Sequence, residues 1–192
     1  MNQSLLTKTL ITLSLACTGM QAAYADDSAD IDAAKAAIKQ LAAALQTELK
    51  AAMQSGGPTN AIGVCNTRAL PITKNIASQQ GLHISRVSLR NRNPDNKPNE
   101  WQAAVLENFQ QQKSDGKDIT TLAWSETIEI NGGKEFRFMK AIPTGEVCLA
   151  CHGTTLAPEI SSALAELYPG DRATGFSVGD IRGAFVVTRQ VK

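Results

Sequence analysis

The chain has 192 residues, 43% of them hydrophobic, and its 19 basic and 18 acidic side chains leave a formal net charge of +1. That length supports one domain with a real core and is too short for two comfortable ones. A near-neutral chain with no basic patch and no long charge run argues against a nucleic-acid partner, which leaves small molecules, a prosthetic group or another protein.

In chain order, residues 1–25 read as a secretory leader: Lys8, an apolar stretch from Thr9 to Ala16, then the cleavage signal Ala23-Tyr24-Ala25. The apolar core is too short for a permanent span, and no later segment approaches the roughly 20 apolar residues that one needs. Ser14-Leu15-Ala16 before Cys17 sets the leucine one place too late for a lipidation box. The expectation is an exported, periplasmic protein without a membrane anchor. Removing 25 residues from 192 leaves 167, which form a single domain over 26–192 with an N-terminal helix in 26–57 and a core in 58–192.

Ile31, Ile38, Leu41, Leu45 and Leu49 recur at helical spacing and predict a long amphipathic helix over 27–54, ended by Ser55-Gly56-Gly57-Pro58. A second helix is expected over 59–79, with Ala61, Val64, Cys65, Ala69, Ile72 and Ile76 on one face and a potential kink at Pro71. The alternation of residues 82–87 predicts a strand, residues 91–98 a proline-punctuated loop, and residues 99–113 a helix led by Asn99-Glu100-Trp101. Two strands, 119–130 and 134–142, meet at the hairpin signal Asn131-Gly132-Gly133. A short helical turn, a helix over 158–168 and a final apolar strand over 181–191 follow. Helices on one antiparallel sheet make the fold class α+β.

Cys148-Leu149-Ala150-Cys151-His152 is a CxxCH motif. Two thiols at this spacing can each add across a haem vinyl group and leave the adjacent imidazole within reach of iron, so the motif predicts one covalently attached haem c. The leader agrees with it, because c-type haem is attached after export. Of four cysteines, Cys17 leaves with the leader and Cys148 with Cys151 become thioethers, which strands Cys65. A lone thiol in an oxidising compartment is either a small buried apolar residue or a second axial ligand. The alternatives for that position are Met139 and His83; Cys65, Met139 and His83 stay open in that order. A Cys3His zinc site from Cys65, Cys148, Cys151 and His152 is chemically sensible, and a thioredoxin-like CxxC less so.

Further motifs accompany CxxCH. Ala61-Ile62-Gly63-Val64-Cys65, the loop Arg86-Val87-Ser88-Leu89-Arg90-Asn91-Arg92-Asn93-Pro94-Asp95-Asn96, the motif extended to Gly153, and Gly175-Phe176-Ser177-Val178-Gly179-Asp180-Ile181-Arg182-Gly183-Ala184 follow in that order. Together they resemble a family of exported single-haem proteins long catalogued as a domain of unknown function, over essentially the whole mature chain. The resemblance implies a PAS-like fold behind long N-terminal helices, with Cys148 and Cys151 holding the porphyrin and His152 and Cys65 as axial iron ligands.

A thiolate donates strongly to iron and stabilises its oxidised state, so this ligation predicts a low-potential haem. Arg68, one turn after Cys65, is a candidate for favouring the thiolate. Arg86, Arg90 and Arg92 are candidates for haem-propionate contacts, being the densest arginine cluster of the mature chain. Trp101 and Phe138 are candidates for lining the haem. The leading functional reading is a redox or gas sensor that signals through a protein partner, and the runner-up is a periplasmic electron carrier. No acid/base pair or substrate motif argues for an enzyme. The helix over 27–54 offers a face through which two copies can pair.

Overall fold

The computed structural model describes residues 21–191, with side chains from residue 28 onward. The leader and Cys17 lie outside the described residues, apart from the backbone of 21–25 at the start of the first helix. No helix among the described residues is long and apolar enough to cross a membrane.

The helices expected at 27–54 and 59–79 are the two arms of α1 (Gln21–Gln80), which breaks at Gly56 (φ −163°, ψ 19°) and Gly57 (φ 71°, ψ −168°). Gly57 occupies a backbone region essentially closed to side chains, and Pro58 then opens the second arm, where a missing N–H costs nothing. The Asn60 amide donates to the Ala52 carbonyl (3.0 Å) and to Ser55 Oγ (3.0 Å) and so staples the bend. Pairings of Arg68 with Glu48 and of Gln80 with Gln40 show the arms lying antiparallel. The backbone stays helical through Pro71, so the kink expected there does not interrupt the helix.

The remaining elements are β1 (His83–Val87), α2 (Glu100–Ser114), β2 (Ala123–Ile130), β3 (Gly133–Pro143), α3 (Leu149–His152), α4 (Pro158–Leu167) and β4 (Ile181–Val191). α2 begins with a reciprocal capping box between Asn99 and Gln102. The strand expected from residue 119 starts later: Ile119–Thr121 is a 3-10 turn, because the Asp118 carboxylate takes the Thr120 N–H (2.9 Å) and competes with the ladder. The β2–β3 hairpin turns on Asn131-Gly132 with Ile130 opposite Gly133. Only Gly132 (φ 97°) of these two turn residues has positive φ, so the turn is of type II rather than the mirror-image type the Asn-Gly pair usually signals.

The four strands form one antiparallel sheet in the order β1-β4-β3-β2, and period-two alternation gives it two apolar faces. Ile84, Phe136, Phe138 and Val187 face α1, where Ala34, Ala37, Ile38, Leu41 and Ile76 cover them. Met139, Ala141, Ala184 and Val186 face α2 and its Val105, Leu106 and Phe109. The apolar face of the first arm is therefore covered by the chain's own sheet rather than left for a second copy. Asp30, only 4% exposed, pairs with Arg189 and fastens that arm to β4. A third cluster joins Ile62 of the second arm to Ile160, Leu164 and Tyr168, with Cys151 packed against it.

Replacing Gly57 by alanine puts a side chain on a backbone conformation that only glycine adopts readily and should cost about 1–3 kcal/mol. Urea unfolding should show the midpoint falling with the slope unchanged.

Candidate functional site

Cys148 ends a 3-10 turn (Glu146–Cys148) that runs directly into α3, so the five motif residues make one compact turn. Gly153 closes it, its N–H bonding to the Leu149 carbonyl at 2.9 Å. The chain beyond α4 then returns alongside. Gly175 N–H donates to the Gly153 carbonyl (2.8 Å) and Phe176 N–H to the His152 carbonyl (2.9 Å). Arg92 Nη2 donates to the Cys151 carbonyl at 2.5 Å. Three successive carbonyls, those of Cys151, His152 and Gly153, are thus held from outside the motif.

The imidazole is held as well: His152 Nδ1 lies 2.6 Å from the Ala173 carbonyl. A carbonyl only accepts, so Nδ1 carries the proton and Nε2 keeps its lone pair. Burial, then the charges of Arg182 and Arg92, pull the His152 pKa down to about 3. The ring is therefore neutral near pH 7. Phe176 stands edge-on to it, with ring centroids 6.3 Å apart.

Arg92 reaches this place through a buried ion pair. Its Nε and Nη2 lie 3.1 and 3.0 Å from Asp171 Oδ2, and the two side chains are 11% and 10% exposed. Asp171 also accepts the Ala173 N–H at 2.8 Å, so the same carboxylate positions the carbonyl that orients His152.

Of the three residues open for a second ligand, only Cys65 lies in the electrostatic neighbourhood of the motif. His83 is exposed at the start of β1, opposite Thr188, and Met139 is wholly buried in the α2-facing core. Cys65 follows Ile62 by one turn on the second arm, on the side that packs on α4 and Cys151. The Cys65 side chain is exposed, yet the surrounding protein desolvates the thiol and pushes its pKa up, while Arg86 first and Arg92 second pull it down. Cys151 is likewise raised by burial, and feels Arg92, Cys65 and Cys148. The motif and Cys65 therefore share one electrostatic neighbourhood.

The other candidates fall into distinct places. Arg68 pairs with Glu48 at 3.1 Å, so Arg86 takes the place at Cys65 that sequence spacing assigned to Arg68. Arg90 lies over Phe176, 4.2 Å from the ring centroid. Phe138 belongs to the α1-facing core, and Trp101 stacks on Trp124 (5.7 Å) at the α2 side, so the core takes both aromatics. Among the described residues no group of three or more His, Cys, Asp and Glu side chains is placed to hold a metal ion, so the Cys3His arrangement does not form.

Sequence reasoning assigned no role to Asp171, Ala173, Tyr168, Phe176 or Arg182. Arg182 had a signal: a charge at the second position of an apolar strand. It donates to Ser88 Oγ (3.2 Å) and the Arg90 carbonyl (3.3 Å), its Nε is buried without a partner, and burial pulls its pKa down to about 10.

Arg92→Met and Asp171→Asn should each cost about 3–5 kcal/mol, since each leaves a buried polar partner without its counterpart. The double variant should cost less than the sum, with a coupling of about 1–3 kcal/mol in a double-mutant cycle by chemical denaturation.

Comparison with known proteins agrees with this architecture. No curated protein matches the chain. The crystal structure of the cyanobacterial heme-protein Tll0287 matches with a TM-score of 0.62 and 27% sequence identity, over 85% of this chain and 96% of that chain. The model of the Tll0287-like family matches residues 22–189, which include Cys65, the arginine loop, CxxCH and the segment that holds it, and the chain belongs to that family.

Proposed function

We propose that this is an exported haem c protein, with Cys148 and Cys151 as thioether attachments and His152 and Cys65 as the axial iron ligands. The observation that carries the reading is that Cys65 lies in the electrostatic neighbourhood of CxxCH, on the arm whose Ile62 packs with Cys151, together with a histidine whose Nε2 keeps its lone pair. The heme-protein similar to this chain supports the choice of cofactor.

The residues present fit such a group. A ligating histidine almost always gives its other ring N–H to a carbonyl or carboxylate, as His152 does to Ala173. Arg182 has a buried Nε without a partner, and neither Arg90 nor Arg182 makes an ion pair with a carboxylate among the described residues. A haem brings two carboxylates of its own. We assign the propionate contacts to Arg90 and Arg182, while Arg92 braces the motif and Arg86 serves Cys65.

Bound haem iron supplies one-electron redox chemistry and, with one axial position open, a site for a small gas. The protein braces the two ligands unequally. His152 is fixed by its own hydrogen bond and by the three held carbonyls around it. Cys65 stands exposed on a separate helix. Were haem bound and the sulfur released on reduction, the histidine would stay in place, which favours a low-potential redox or gas sensor, with the PAS-like domain passing the change to a protein partner. Electron transfer is the second reading, favoured by Val147, 67% exposed immediately before Cys148, as an apolar contact for a redox partner. We place either role in the periplasm on the strength of the leader in residues 1–25, and we assign no enzymatic activity.

The exported, matured protein should give a c-type pyridine haemochrome. Cys65→Ala should alter the oxidised spectrum and raise the midpoint potential, whereas Met139→Ala should leave both in place. An absent Soret band sinks the haem reading; an oxidised spectrum indifferent to Cys65→Ala sinks the thiolate. Binding of carbon monoxide or nitric oxide by the ferrous form separates sensor from carrier.

A further inference from the structure

One peptide oxygen behind the motif serves two donors. The Ala173 carbonyl takes the His152 Nδ1–H at 2.6 Å, and Arg92 Nη2, which donates to the Cys151 carbonyl at 2.5 Å, reaches the same Ala173 oxygen at 3.5 Å. Ala173 is fully buried, and the Arg92 and Asp171 side chains are only 11% and 10% exposed. A shielded guanidinium therefore sits beside the acceptor on which the imidazole depends. Asp171 balances its charge through Oδ2, at 3.0 and 3.1 Å, and takes the Ala173 N–H at 2.8 Å with its other oxygen. The Tyr168 ring, 5.9 Å from the guanidinium, covers a further side of it.

We propose that Arg92 and Asp171 are positioning residues that shift the reduction potential of the bound iron in opposite directions, through the carbonyl against which His152 rests. The inference rests on His152 being an axial ligand. A ligating imidazole becomes a stronger donor, and favours the oxidised metal, as its other N–H finds a stronger acceptor. A cation at that acceptor draws off the electron density the N–H would use, so Arg92 weakens the donation and favours the reduced state. Its charge acts in the same direction through space, since reduction adds an electron and the shielded surroundings leave the attraction strong. Asp171 opposes both effects by neutralising the guanidinium. Arg182, the other cation that bears on His152, is tied to Ser88 Oγ and the Arg90 carbonyl and stands outside this pair. A purely structural brace would behave differently: losing either partner would loosen the same turn and move the potential the same way.

The test measures the midpoint potential of the matured full-length holoprotein carrying Arg92→Met, Arg92→Lys, Asp171→Asn or the double substitution Arg92→Met with Asp171→Asn. Arg92→Met should move the potential to more negative values and Asp171→Asn to more positive ones. Arg92→Lys, which keeps the charge, should restore most of the first shift, and the double variant should fall between the two singles. The shifts should persist at high ionic strength, because a buried pair is little screened by salt. Asp171→Asn keeps the side chain's volume and an oxygen for the Ala173 N–H, so it decides the matter even where Arg92→Met does not mature. A potential that Asp171→Asn leaves unchanged or makes more negative overturns the proposal, as does a shift of the same sign in both single variants. If His152→Ala matures with an unaltered oxidised spectrum, the ligation reading has failed and this inference falls with it.

Discussion

The hydrogen bond between His152 Nδ1 and the Ala173 carbonyl is the contact around which the site is organised. It selects the tautomer and leaves Nε2 its lone pair, while burial and the charges of Arg182 and Arg92 keep the ring uncharged. A four-residue helix cannot hold a side chain by itself. The carbonyl is in place because Asp171 accepts the Ala173 N–H, and Asp171 is in place because Arg92 crosses from the distant loop after β1. Arg92 then closes the circuit on the Cys151 carbonyl. Fixing the motif therefore depends on a small polar network, nearly all of it shielded from water, where each bond is electrostatically stronger and each loss more costly.

The layering of the domain makes that network possible. A sheet covered on both faces spends its apolar side chains on α1 and α2, so the chain between β3 and β4 is free to form the site at the margin. The bend at Gly56-Gly57 serves the same end. It turns the second arm of α1 back along the first, and Ile62 then packs on α4 beside Cys151, which brings Cys65 into the motif's electrostatic neighbourhood.

Much of the fold was legible in the residues. The helical periodicity of 27–54 and of 59–79, the Gly-Gly-Pro stop between them, the hairpin at Asn131-Gly132 and the apolar strand at 181–191 all mark elements that form. The misreadings have local causes: Asp118 turns the expected start of β2 into a capped turn, and Pro71 sits inside a helix whose dihedrals do not change. Arginines were harder. A guanidinium's task depends on its surroundings in the fold, so closeness in sequence hid three different environments. Arg92 pairs with Asp171, Arg90 lies over Phe176, and Arg86 lies in the electrostatic neighbourhood of Cys65.

By itself the sequence determined the local chemistry: a CxxCH turn, an unpartnered Cys65 on a helix, and two periodicities that call for helices on an antiparallel sheet. These depend on residues within a few positions of one another, which spacing records directly. Only the tertiary structure decided that Cys65, and neither Met139 nor His83, shares the motif's electrostatic neighbourhood, and that the segment around Asp171 and Ala173 holds the histidine. Those are contacts between residues tens of positions apart, set by which apolar faces pack together, and no local pattern encodes them.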